Sequence, residues 1–163
     1  MTRAGSVPVV AAPPTVPFPA APAASVPMGG IPTYTEIDRD REQVRDWART
    51  AARACDAKGG DDTVILEVGA VLAITDAFVL TAGRNHRQVA TISDEVEAAL
   101  KGAGGPSPLR VEGREQAEWV LLDYGDFVVH VFLDEVRRYY DLERLWSDAP
   151  RLGWQEAAPA SRA

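Results

Sequence analysis

WVLLDYGDFVVHVFLDEVRRYYDLERLW (119–146) decides how this chain is read. Residues 119–133 alternate around Tyr124-Gly125, and the spacing then becomes helical, the pattern of a β-hairpin followed by an amphipathic helix. A two-residue turn at Tyr124-Gly125, with Gly125 supplying the positive φ, sets Asp123 opposite Asp126, Leu122 opposite Phe127, Leu121 opposite Val128, Val120 opposite Val129 and Trp119 opposite His130. Side chains alternate between the faces of a strand, so the hairpin has two unlike surfaces. Val120, Leu122, Phe127, Val129, Val131 and Leu133 form an apolar core face. Trp119, Leu121, Asp123, Asp126, Val128, His130 and Phe132 form the other. Two like charges set opposite one another cost stability unless something outside compensates. That makes the second face a candidate binding surface for a cationic partner. The competing reading is a solvated sheet face whose Asp pair favours the turn.

The chain has 163 residues, 46% of them hydrophobic, enough for one domain with a core of its own. The formal charge is −7, and it is sharper in residues 36–156, which hold all 24 acidic side chains but lack Arg3 and Arg162. An acidic domain is a poor ligand for a phosphate backbone and a better one for a basic protein. Cys55 is the only cysteine, so it cannot form an internal disulfide, and its Ala-rich helical context suits a buried, apolar thiol in a reducing compartment. No window approaches the roughly 18 apolar residues of a membrane span. Neither a signal peptide nor a transit peptide fits the first 35 residues, and the expected location is the cytoplasm.

Residues 1–35 contain eight of the twelve prolines and read as a disordered Pro/Ala-rich tail, with Met28 an alternative start. Residues 36–150 are the expected domain, and 151–163 a flexible C-terminal tail. A helix is expected from about Asp38 to Ala57, with Val44, Trp47, Ala48, Ala51, Ala52 and Cys55 on one side. Its row of Arg41, Arg45, Arg49 and Arg53 alternates with acids, which favours a salt-bridged face over a nucleic-acid patch. Strands are expected over 63–68 and 71–82, the second bent near Thr75-Asp76. Asn85 and Gln88 resemble a capping box for a helix from His86 to Lys101. That helix N-terminus, with Arg84 and Arg87, is a weak anion-site signal. His86 has no second ligand at metal spacing. A short third strand is expected over 108–113. After the hairpin a helix starts at Asp134-Glu135 and buries Val136, Tyr139, Leu142, Leu145 and Trp146, with Arg137, Arg138 and Tyr140 facing elsewhere.

ITDAFVLTAGRNHRQVATISDEVE (74–97), WVLLDYGDFVVHVF (119–132) and RRYYDLERLW (137–146) together resemble the ribosomal silencing factor family, also called Iojap-type proteins. The resemblance covers roughly residues 40–150. It departs from the usual pattern at the long tail, at Arg84 and at Leu133-Asp134. It implies an α/β domain with a mixed sheet of about five strands and helices packed on it, similar to a nucleotidyltransferase-like fold. It also implies a factor that binds the large ribosomal subunit through large-subunit protein L-fourteen, blocks joining of the small subunit and lowers translation when nutrients run short. Organellar relatives are linked to large-subunit assembly. The family's hairpin motif falls on Trp119, Leu121, Leu122, Asp123, Tyr124, Gly125, Asp126, Val128, Val129, His130 and Phe132, and its terminal helix motif on Tyr140, Leu142, Glu143, Leu145 and Trp146. Of these, Trp119, Leu121, Asp123, Tyr124, Asp126, Val128, His130 and Phe132 are the expected partner-binding residues. Whether the free chain is a homodimer is left open.

A nucleotidyltransferase-type enzyme is the main rival. That chemistry needs a Gly-Ser turn for the triphosphate and two carboxylates alternating on one strand for divalent metals. Here Arg84 follows Gly83, and Asp123 and Asp126 span a turn. No catalytic residue, metal site or cofactor is therefore expected, and the acidic balance argues against direct recognition of ribosomal RNA.

Overall fold

The structure, a computed structural model, describes residues 34–155; the expected Pro/Ala-rich tail as far as residue 33, and residues 156–163 of the expected C-terminal tail, lie outside the described residues. Helix α1 (Tyr34–Ala57) begins four residues before the expected Asp38. It buries Val44, Ala48, Ala51, Ala52 and Cys55 at three- and four-residue steps, a small-residue stripe that brings it close to the sheet. On its solvent side Arg45 pairs with Glu42 and Glu67, and Arg49 pairs with Glu42 and Asp46. These pairs make the salt-bridged face expected for at least half of the arginine row. The helix stops at Lys58-Gly59, where Gly59 has φ 75° and Gly60 N–H donates to the Cys55 carbonyl.

Strands β1 (Asp61–Glu67), β2 (Ala77–Gly83), β3 (Arg110–Glu112), β4 (Trp119–Asp123), β5 (Phe127–Leu133) and β6 (Arg151–Leu152) form one mixed sheet in the order β3-β4-β5-β2-β1-β6. The β2–β5 pair is parallel and the others are antiparallel. Helix α2 (His86–Gly102) packs beside α1 over one face and buries Val89, Ile92, Val96 and Leu100. Asn85 caps it, accepting the Gln88 N–H at 2.8 Å, while Gln88 Oε1 accepts the Arg84 N–H. The second expected strand is shorter than the alternation suggested, because residues 68–76 form a loop. Val68 N–H and Gly69 N–H both donate to the Asp76 carbonyl, which closes that loop on itself.

The hairpin differs from the expected register. Asp123 lies opposite Val128, Leu121 opposite His130 and Trp119 opposite Phe132, and Tyr124 N–H donates to the Phe127 carbonyl at 3.0 Å, so the turn falls on Gly125-Asp126. Two capture events explain it. Asp123 Oδ1 accepts the Gly125 N–H at 2.8 Å, and the Asp126 carbonyl accepts the Asp76 N–H at 2.7 Å and the Thr75 hydroxyl at 3.1 Å. Asp126 is thereby drawn out of the ladder and no longer faces Asp123. Gly125 does hold the expected positive φ, 86°. A slip of two residues preserves the alternation of side chains, so the core face Val120, Leu122, Phe127, Val129 and Val131 is buried as expected.

The segment after the hairpin is also corrected. Helix α3 (Asp134–Tyr140) ends at Asp141, which has φ 44°, and α4 (Leu142–Leu145) starts anew. Tyr139 and Leu145, expected on the buried side, are exposed, and Arg137, expected to face elsewhere, is buried. Arg137 donates to the carbonyls of Asp61 and Asp62 and to Glu143, pinning α3 to the irregular start of β1. The expected flexible tail from 151 is ordered at its beginning. Arg151 and Leu152 pair with β1, and Trp154 is buried, donating its indole N–H to the Thr63 carbonyl at 3.0 Å. A sequence reading that stops at Pro150 misses this sixth strand because two residues carry no periodicity. Trp154→Ala is expected to cost about 3 kcal/mol, as for other buried aromatics; urea unfolding followed by circular dichroism measures it.

Candidate functional site

Parallel pairing of β2 with β5 places the second face of the hairpin in rows that run across the sheet. One row is Leu66, Phe78, Val128, Asp123 and Arg110; the next is Val64, Leu80, His130, Leu121 and Glu112; the third ends Ala82, Phe132 and Trp119. The α3–α4 segment covers part of this face, with Val136, Leu142 and Trp146 packed against Leu66, Leu80 and Phe132. Of the residues expected at the partner surface, Leu121, His130 and Phe132 are buried, Trp119, Asp123 and Val128 are half-buried, and Asp126 is exposed at the turn. Tyr124 does not join them. It is buried on the helix side, stacked on Phe127 with ring centres 4.7 Å apart.

Aromatic groups outside the hairpin complete the face. Trp119 lies 4.9 Å from Phe132 and 5.0 Å from Tyr140, centre to centre, and Phe78 meets His130 at 5.1 Å and Trp146 at 5.7 Å. Phe78, Tyr140 and Trp146 were not among the expected site residues. For Phe78 the missing signal was strand order, which alternation within one strand cannot reveal. Tyr140, expected to face elsewhere, closes on Trp119 from the last residue of α3.

His130 sits at the centre of this cluster, 6% exposed. Its Nδ1 accepts the Trp119 indole N–H at 3.1 Å, which requires the ring proton to be on Nε2. Nε2 has no hydrogen-bond partner, and burial pushes the imidazole pKa down to about 4. The imidazole is therefore neutral at physiological pH, and it acts as an aromatic wall that fixes the angle of the Trp119 ring.

Other candidate features have structural uses. A Cβ on Gly83 would come within 3.1 Å of the Val89 backbone nitrogen, so this glycine lets α2 approach β2. The Arg84 amide next to it is already engaged with Gln88. His86 Nδ1 lies 3.0 Å from the Gln116 carbonyl. Burial pushes the Cys55 thiol up to about 12, leaving it protonated at neutral pH. Among the described residues no group of three or more His, Cys, Asp or Glu is placed to hold a metal ion, and no helix is long and apolar enough to cross a membrane.

The family model described as ribosomal silencing factor during starvation matches residues 41–163. The chain belongs to this family. A ribosomal silencing factor from Halalkalibacterium halodurans is 42% identical over 106 residues, covering 65% of this chain and 90% of the relative. A crystal structure of a Chromobacterium violaceum protein superposes with a TM-score of 0.61 at 32% identity, covering 72% of this chain and 96% of the other. A more distant mouse relative, named for mitochondrial assembly of the large ribosomal subunit, is 29% identical over 89 residues, 53% of this chain and 39% of its own length. Membership in the silencing factor family and the mixed six-stranded sheet thus agree with the resemblance carried by the three sequence blocks.

The buried imidazole makes stability depend on pH. Its folded pKa, about 4, lies below the ordinary value of 6.5, so the unfolded chain takes up the proton first. The stability associated with neutral His130 is complete above about pH 6.5 and is lost as pH falls toward the folded value, by about 3 kcal/mol at pH 4. His130→Phe is expected to remove this part of the acid sensitivity. Urea titrations of both proteins at pH 7.5 and pH 4.5 should show a smaller difference for the variant.

Proposed function

We propose that this protein binds the large ribosomal subunit in the cytoplasm through large-subunit protein L-fourteen and holds off the small subunit by its bulk. Translation then falls when nutrients are short. Membership in the silencing factor family is the observation that carries the reading. An acidic domain presenting half-buried aromatic and aliphatic side chains beside carboxylates suits a basic ribosomal protein. In this reading Trp119, Val128, Asp123 and Asp126 touch the partner. Leu121, His130 and Phe132 support them from below, and Tyr124 props the turn from the helix side. Blocking subunit joining needs no catalytic group. Pairing of the free chain as a homodimer through the same sheet region would compete with docking.

The mouse relative's name favours a second reading, a role in assembling the large subunit. Sucrose-gradient profiles separate the two: silencing raises free subunits at the expense of joined ribosomes, whereas an assembly role produces immature large subunits when the protein is removed.

Co-sedimentation with purified large subunits, together with binding to isolated L-fourteen, tests the docking. Trp119→Ala is expected to weaken association tenfold or more. It also costs stability, since the indole packs on Phe132 and Tyr140 and donates to His130. Asp126→Lys sits on an exposed side chain and leaves the fold intact, so its expected loss of binding, with a weaker salt dependence, is the cleaner measurement. Wild-type binding by both variants would rule out this face.

A further inference from the structure

The turn end of the hairpin is bracketed by two loops that hold exposed apolar side chains in place. On one side the 68–76 loop presents Val71, 71% exposed, and Ile74, 50% exposed. This loop is not slack. Thr75 and Asp76 both donate to the Asp126 carbonyl, Val71 N–H and Leu72 N–H donate to the Val68 carbonyl, and Leu72 packs into the cluster that contains Phe78 and Trp146. Gly69 allows the closure, since a Cβ there would lie 2.7 Å from Asp76 Oδ1. On the other side Leu109, 78% exposed, donates its N–H to the Asp123 carbonyl at 2.7 Å, and its side chain reaches the space over Gly125.

A loop whose only task is to join two strands has no need to order branched apolar side chains in water, and a polar sequence would serve it better. Asp76, Asp123 and Asp126 are held at this same end: Asp76 N–H donates to the Asp126 carbonyl, the Asp123 carbonyl accepts from Leu109, and Asp123 Oδ1 accepts the Gly125 N–H. Desolvation, and after it the neighbouring Asp76 charge, hold the Asp126 carboxyl above the usual carboxylate range. Asp123 and Phe78 share a row of the second sheet face, so this end patch is continuous with the face that carries Trp119.

We infer that Val71, Ile74 and Leu109, set around Asp76, Asp123 and Asp126, are a second anchor for the same basic ribosomal protein, extending the docking surface from the sheet face over the end of the hairpin. The inference rests on the proposed function. Charge selects the occupant. A second copy of this chain in a two-fold contact would bring the three carboxylates against their own equivalents, which is unfavourable, whereas lysine and arginine side chains flanked by apolar groups fit the patch.

The test compares the full chain with the Val71→Ser/Ile74→Ser and Leu109→Ser variants, each first shown to melt like wild type, since the side chains are exposed. Titration onto isolated L-fourteen and onto large subunits is expected to show about tenfold weaker binding for the double variant and a smaller loss for Leu109→Ser. Serine variants that bind like wild type while Trp119→Ala binds weakly would overturn the second anchor and leave the proposed function standing. Wild-type chain that binds neither target would overturn the proposed function itself, and this inference with it. Sedimentation showing a wild-type dimer that the double serine variant abolishes, with L-fourteen binding unchanged, would make the patch a self-association surface and overturn the inference.

Discussion

The parallel contact between β2 and β5 is the constraint on which the rest of the molecule depends. It sets Phe78 beside Val128 and Leu80 beside His130, joining the first half of the chain to the hairpin. A parallel neighbour needs a crossover, and here α2 begins that excursion and packs with α1 on the face where Val79, Val120, Leu122, Val129 and Val131 are buried. The opposite face is left to shorter pieces. Trp146, Leu142 and Val136 cover only part of it, and the uncovered remainder is where the half-buried Trp119, Val128 and Asp123 lie.

The same contact governs the hairpin turn. A hairpin in isolation is free to choose the shortest loop that its sequence allows, and Tyr124-Gly125 suits a two-residue turn. In the folded chain the 68–76 loop arrives beside that turn and takes the Asp126 carbonyl for two hydrogen bonds. The turn moves one residue along, to Gly125-Asp126, and the two carboxylates part. The repulsion that first marked this surface is thus relieved within the fold, and the acidic character that remains is spread along the end of the sheet.

Residues whose signal is local were legible in the sequence. The stripe of α1, the Asn85–Gln88 cap, the buried Cys55 and the two faces of the hairpin all follow from spacing and residue type. Features that depend on a neighbour distant in the chain were not. Thr75 and Asp76 look like a kink within a strand until their bonds to Asp126 are known. Arg137 looks like a surface residue until the carbonyls of Asp61 and Asp62 are seen to accept from it. Trp154 lies past a proline in a segment without pattern, yet its indole closes the edge of β1. The family resemblance, carried by three blocks of sequence, identified the chain more sharply than it told exposed residues from enclosed ones, because the motif residues include both buried and exposed side chains.

Cys55 provides a built-in gauge of how often the core opens. It is the sole sulfhydryl in the chain, fully enclosed between α1 and the sheet, and its proton is held tightly. An alkylating reagent can therefore reach it only when α1 lifts away, so the labelling rate counts excursions of that helix and is blind to events on the opposite, aromatic side.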